Sequence, residues 1–281
     1  MYGDPEIHDL KAALAAHHGC RPQNIVVGEG IDGLLGYLVR LMVAEGDPVV
    51  TSRGAYPTFN FHVAGFGGQL QTAPYRDDFE DPQALLDLAL RSHAKLLYIA
   101  NPDNPMGSHH PAAVISDLLA QLPATTLMLL DEAYIEFAPE GTAPQIDPET
   151  PNLIRFRTFS KAHGLAGLRV GYAITNASLA RSFDKVRNHF GLGRLAQAGA
   201  LAALQDQAHL ARVRGLVEAA RLRVSGIARD NGLRPLASAT NFVSIDLGRD
   251  GDFARATLRA FTERGIFVRM PGVAPLDRCL R

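Results

Sequence analysis

Short apolar runs recur along the first two thirds of this chain, and helix-like stretches separate several of them. Val49–Thr51, Leu96–Ala100, Leu127–Leu130, Leu153–Phe156 and Val170–Ile174 are dominated by aliphatic residues, and Ile25-Val26-Val27 is a further run of this kind. Each is too short for a stable helix and too continuously apolar for a strand with one wet face. Helical patterns lie between several of them, notably around residues 82–92 and 111–121. Strands that alternate with helices predict an α/β fold, a mostly parallel sheet sandwiched by helices on both faces.

Residues 5–18 also read as helix, with Pro5 suited to a first turn and Gly19 to a stop. Leu34 to Val43 reads as another. Near residue 178 the character changes. Residues 178–230 are helical in pattern and rich in Ala, Arg and Leu, and they end at Asn231-Gly232. Phe242–Leu247 then reads as a strand, 251–264 as a helix and Ile266–Arg269 as a strand. The expected organisation is an N-terminal segment over 1–18 and a large α/β domain over 19–175. A connecting helix and a smaller C-terminal α+β domain follow over 176–281. Pro139–Pro151 is the one loop-rich interruption.

Composition narrows the partners. With 47% hydrophobic residues the chain can bury a sizeable core. A net charge of −1, with both signs well mixed, supplies no basic stripe for nucleic acid and no polybasic run for a membrane. No apolar stretch reaches transmembrane length, and Met1-Tyr2-Gly3-Asp4 opens no leader-like segment. Cys20 and Cys279 lie far apart without CxxC spacing, which argues against a structural zinc site and for a reducing, cytoplasmic setting.

Ligands of open parallel sheets bind beyond the carboxyl ends of the strands. Three polar segments sit there: Asn101-Pro-Asp-Asn104-Pro-Met-Gly107, Asp131-Glu-Ala-Tyr134, and Thr158-Phe-Ser160-Lys161 leading to Arg169. The chain has only four lysines. Lys11 and Lys185 fall among helical residues and Lys95 precedes a strand, whereas Lys161 lies in the small-residue turn Ser-Lys-Ala-His-Gly. Taken alone, Lys161 could be a solvated lysine, Asp131 a turn cap and Tyr56 an ordinary core residue. Their company favours chemistry.

The stretch from Arg157 to Tyr172, RTFSKAHGLAGLRVGY, resembles fold-type I pyridoxal-phosphate (PLP) aminotransferases, specifically the branch containing histidinol-phosphate aminotransferase. The likeness runs across the chain, from Tyr2-Gly-Asp-Pro to Cys279-Leu-Arg281. It implies the PLP-dependent transferase fold, with Lys161 as the lysine that bonds the cofactor and Arg169, eight residues on, as a phosphate ligand. A positioned lysine amine can serve as nucleophile and then as proton carrier. The resemblance implies that Asp131 faces the pyridine nitrogen, where a carboxylate keeps the ring protonated as an electron sink. It also implies that Tyr134 and Asn104 bind the phenolic oxygen and that Tyr56 stacks on the ring. The turn Gly30-Ile31-Asp32-Gly33 precedes a helix, whose free amides suit phosphate. Ile31, Asp32, Thr158, Ser160 and Arg169 would complete that cup. By the same resemblance Tyr2 reaches the cofactor of a neighbouring subunit, making the protein at least a homodimer with shared sites. Arg269 and Arg281 would grip the anionic end of a substrate, since guanidinium suits carboxylate and phosphate.

Met106 replaces a threonine usual in the NPxNPTG motif, and His163 replaces an aromatic. The resemblance also implies an arm ahead of Tyr2 and more small-domain chain after Arg281. Transamination between histidinol phosphate and 2-oxoglutarate is the leading reading, ahead of an aromatic amino-acid aminotransferase or a related PLP-dependent decarboxylase or lyase. A different class competes: Gly28-Glu-Gly30-Ile-Asp-Gly33 is a formal GxGxxG, the mark of an NAD(P)-binding oxidoreductase. That reading leaves Asn104, Asp131, Lys161 and Arg169 unexplained. A catalytically idle PLP-fold protein would be expected to have lost Lys161 or Asp131, and both are present.

Overall fold

The computed structural model describes residues 2–281. Seven strands form its main sheet: β1 (Ile25–Gly28), β2 (Pro48–Ser52), β3 (Gln69–Ala73), β4 (Leu96–Ala100), β5 (Leu127–Asp131), β6 (Leu153–Thr158) and β7 (Gly171–Thr175). Their order is β1-β7-β6-β5-β4-β2-β3. The run from β3 to β6 is parallel, while β7 is antiparallel to both β6 and β1. Because β7 runs backwards, its first residue, Gly171, meets Gly28 at the carboxyl end of β1. Both therefore share the edge where Ala100, Asp131 and Thr158 end their strands.

Period-two alternation divides the sheet into two faces. Val26, Val49, Leu96, Tyr98, Leu127, Leu129, Ile154 and Phe156 pack on one face with helices α2 (Gly30–Met42) and α3 (Thr58–Gly65). On the other, Val50, Leu97, Ile99, Met128 and Leu130 pack against α4 (Pro82–Ser92) and α5 (Ala112–Gln121). Further along that face, Ile25, Val27, Tyr172 and Ile174 meet α1 (His8–His18) and α7 (Arg194–Gln205), the latter following the short α6 (Ala177–Ser182). The long helix α8 (Gln207–Asp230) then lays Leu210, Val213 and Val217 against Tyr134, Phe137 and Ala162. A small antiparallel sheet of β8 (Arg234–Pro235), β9 (Ile245–Asp246) and β10 (Cys279–Leu280) closes the chain, with α9 (Gly251–Glu263) beside it.

Several expectations move. The first helix begins at His8 rather than Pro5, because the Asp4 carboxylate takes the amides of Glu6 and His8 and bends the chain there. The second begins at Gly30, four residues before Leu34. β3 is absent from the sequence reading: its Gln-Leu-Gln-Thr-Ala composition carries no apolar run, and it forms an edge strand. The stretch 178–230 is not one continuous helical span but breaks into α6, α7 and α8. Of the strand expected over Phe242–Leu247 only Ile245–Asp246 pairs. No strand forms over Ile266–Arg269, although Arg269 exchanges both backbone hydrogen bonds with Arg281, at 2.9 and 2.8 Å.

Candidate active site

The carboxyl edge of the sheet frames a cavity of about 170 Å³. Ten residues expected at the site line it: Ile31 and Asp32 from α2, Tyr56, Asn104, Asp131, Tyr134, Thr158, Ser160, Lys161 and Arg169. They come from six separate stretches of chain. An adjoining cavity of about 420 Å³ opens outward, is lined by Arg269 and Arg281, and shares Tyr56 and Asn104 with the first. Tyr2 joins neither cavity; it is 83% exposed, with its ring 5.4 Å from that of Phe190.

At one end of the inner cavity stands the start of α2. Its N-cap residue, Glu29, makes no side-chain capping bond, so the first-turn amides keep their donors and the positive end of the helix dipole. Gly171 lets this turn lie against β7: a Cβ there would come within 2.6 Å of Gly30 C and Ile31 N. Gly30, at φ 79°, leaves room for Arg169, since a Cβ would stand 2.5 Å from its Nη2. Arg169 itself adopts φ 53°, uncommon for a residue with a side chain. Its Nη1 donates to Ala166 O at 3.0 Å and to Ser160 Oγ at 3.4 Å. Thr158 serves the turn, its Oγ accepting from the Ser160 amide at 3.0 Å and donating to Val170 O at 3.3 Å. Uncapped first-turn amides and a guanidinium give this end of the cavity a positive potential.

At the other end Asp131 is buried. Its Oδ2 accepts from Tyr98 Oη at 2.6 Å and its Oδ1 from the Ala133 amide at 2.9 Å. Burial pushes its pKa up, against those two hydrogen bonds and the field of Lys161. No cation lies within ion-pair distance of it among the described residues. Lys161 lies between the two ends, its Nζ 5.3 Å from the centre of the Tyr134 ring. Burial lowers its pKa; Asp131 opposes that, while Arg281, Arg169 and Arg269 add to it. The Asn104 amide donates to Tyr134 Oη at 3.4 Å. Burial holds the Tyr134 phenol at about 12, so it stays protonated and able to donate.

A family model for aminotransferase class I and II matches residues 1–281. The chain belongs to that family. Along its full length this aminotransferase is 36% identical to a histidinol-phosphate aminotransferase 2 of Ralstonia nicotianae, covering 75% of that protein. It is 31% identical to a histidinol-phosphate aminotransferase of Moorella thermoacetica, covering 73% of it. Among solved structures, the histidinol-phosphate aminotransferase of Sinorhizobium meliloti in complex with pyridoxal-5′-phosphate superposes with a TM-score of 0.97. It shares 56% identity over all of this chain and 77% of that one. The fold expected from the resemblance is thus the fold observed, and the family makes this a PLP-dependent enzyme of amino-group transfer. The formal GxGxxG has a local explanation in this aminotransferase. Gly28 makes room for Leu34 and Gly30 for Arg169, whereas a side chain at Gly33 would meet only ordinary contacts with Glu29.

Sequence reasoning missed Tyr98, which lines the cavity and holds Asp131. It lies inside the apolar run Leu96–Ala100 and reads as part of a strand. Alternation along β4 and β5 places Tyr98 and Asp131 on one face of the sheet, which was the available signal.

Proposed function

We propose that this aminotransferase moves an amino group between histidinol phosphate and 2-oxoglutarate, with PLP bonded to Lys161. One observation carries the reading. Uncapped first-turn amides beside Arg169, a lysine with depressed pKa in the fields of both Arg169 and Asp131, and a buried carboxylate with no ion pair among the described residues line a single cavity. PLP matches that set with a phosphate, an aldehyde and a basic ring nitrogen. The Ile31 and Asp32 amides, Ser160 and Arg169 would hold the phosphate, with Thr158 shaping the turn. Asp131 would keep the ring nitrogen protonated, Tyr134 and Asn104 would bind the phenolic oxygen, and Tyr56 would cover the ring. When bound, the cofactor supplies an electrophilic carbonyl and an electron sink.

The chain's own residues then manage protons and charge. A lysine with its pKa lowered by burial spends more time as the free amine, the form that can take a proton from the substrate carbon. Asp131, fixed from both oxygens, answers positive charge at the far end of the cavity. Arg269 and Arg281 face the outer cavity, where the anionic end of either substrate would enter. Tyr2 from a second copy would complete the phosphate cup, making the working unit a homodimer. The same reading assigns residues 1–18 to the subunit interface, 19–175 to the large domain and 176–281 to the connecting helix and small domain, in a cytoplasmic enzyme. Among the described residues no helix is long and apolar enough to cross a membrane.

The test is an absorbance titration of the purified protein with PLP. A visible band should form and should be missing from Lys161→Ala, which should also lose turnover altogether. Histidinol phosphate should move the band to shorter wavelength, and 2-oxoglutarate should restore it. A folded, PLP-saturated protein without the band overturns the cofactor role of Lys161. A band that ignores histidinol phosphate removes that donor.

A further inference from the structure

Arg281 and its neighbour Arg278 are held in opposite ways. Arg278 is clamped by two carboxylates, Asp78 at 2.7 Å and Asp246 at 2.9 Å. Arg281 makes no ion pair among the described residues, and its buried Nε has no hydrogen-bond partner. The acid whose field reaches it, Asp103, is committed elsewhere, accepting from Tyr75 Oη at 2.8 Å and from the Met106 amide at 3.0 Å. What Arg281 does have is a ring: its guanidinium carbon stands 4.6 Å from the centre of Phe242.

That ring is itself fixed. The Phe242 carbonyl accepts from Ser238 Oγ at 2.5 Å and Thr240 Oγ1 at 3.2 Å, which pins the turn carrying it. The ring also meets Tyr134 in an edge-to-face contact, with centres 5.6 Å apart. A carboxylate could hold Arg281 as firmly, but it would occupy the fork that an incoming anion needs. An aromatic face attracts the guanidinium through its π-cloud and leaves the in-plane N–H groups free.

We infer that Phe242 is a positioning residue for anionic substrate: it orients Arg281 from one face so that the guanidinium is held without a competing counterion. The inference rests on the proposed role of Arg281 in the outer cavity and adds the reason it is ready there. Phe242 also links the anion-binding arginine to the Tyr134 ring, over which Lys161 lies.

The experiment measures calorimetric binding of glutarate, an unreactive dicarboxylate, to the PLP-loaded protein. Phe242→Leu should weaken binding about ten-fold, the scale of a desolvated cation–π contact. Phe242→Met, which refills the volume without a ring face, should do the same if Leu does not fold. Phe242→Tyr should restore near-wild-type affinity, and in all three the visible cofactor band should persist. In an Arg281→Ala background the Phe242→Leu loss should vanish, because the ring acts through Arg281. Unchanged glutarate affinity in the Leu and Met variants overturns the inference, as does an equal loss with Arg281 absent. So does loss of the cofactor band together with glutarate binding, which would make Phe242 merely structural. Absence of the band from the wild-type protein would instead overturn the cofactor reading above.

Discussion

Asp131 and Glu132 are consecutive carboxylates at the end of one strand, and the sheet sends them to opposite faces. Asp131 faces the cavity, with a phenol and an amide for partners and, among the described residues, no cation in contact. Glu132, fully buried, is gripped by Arg155 at 2.7 Å and Arg157 at 2.9 Å. Burial penalises both charges, yet the outcomes differ in sign. Asp131 ends above the ordinary carboxylate range because burial wins. Glu132 ends below it because two guanidinium groups outweigh the same burial. One carboxylate is left wanting a positive partner and the other already has two. On the function proposed above, that omission would ready Asp131 for a cationic ligand group, while Glu132 one residue away is already matched.

The comparison breaks if the two residues behave alike when neutralised. Of the two, Asp131→Asn should cause by far the larger loss of turnover. Opposite unit charges about 4 Å apart at an effective dielectric near 20 attract by about 4 kcal/mol, so the rate should fall about a thousand-fold. The same variant should fold as well as the wild type or better. A carboxyl whose folded pKa is raised binds its proton more tightly when folded. Stability should therefore decline as pH rises from the unfolded value through the folded one, and Asn removes that decline. Urea unfolding at several pH values, beside steady-state rates, checks both halves. A thousand-fold slower enzyme that is also much less stable would undo the contrast.

Glu132→Gln should do the reverse. Leaving Arg155 and Arg157 without their carboxylate should cost about 3–5 kcal/mol of folding stability, while turnover per folded molecule changes only a few-fold. Because its folded pKa is depressed, the stabilisation from Glu132 is present above the unfolded carboxylate value. It should drain away as pH falls through the folded value, and Gln should flatten that acid limb. Rates normalised to the folded fraction, with unfolding curves from pH 3 to 7, separate the two effects. A large normalised rate loss would mean that Glu132 shares the duty of Asp131.

The contrast was only half legible in the sequence. Asp131 and Lys161 stand out because each follows an apolar run, at the edge where parallel sheets bind ligands, and Arg169 because it lies eight residues beyond Lys161 as in the resembled family. The pairing of Glu132 with Arg155 and Arg157 was invisible, since it needs the parallel register of β5 on β6 and no local pattern encodes register. The fold was legible wherever strands are buried on both faces and read as continuous apolar runs. It failed at β3, an edge strand with polar positions, and in the small sheet. There two-residue strands are set by tertiary contact rather than by composition. The start of α2 at Gly30 was hidden because its first turn is glycine-rich, and an uncapped glycine turn is what leaves the amides free.

Tyr98 gives the smallest effect of the three and the finest test of the comparison. Among the described residues its hydroxyl is the one side-chain donor to Asp131, at 2.6 Å, in a fully buried setting. Tyr98→Phe keeps the ring that stacks on Phe59, with centres 4.9 Å apart, and removes only the proton donor. A hydrogen bond to a charged group is worth about 1.5–3 kcal/mol. That bond favours the ionised carboxylate, so its loss should raise the Asp131 pKa further and lower turnover about ten-fold, with most of the loss in kcat. The acid limb of the kcat profile should move to higher pH, because Asp131 must now lose its proton with one donor fewer. If Tyr98→Phe slowed the enzyme with the limb unmoved, the hydroxyl would be holding the ring in place rather than holding the charge.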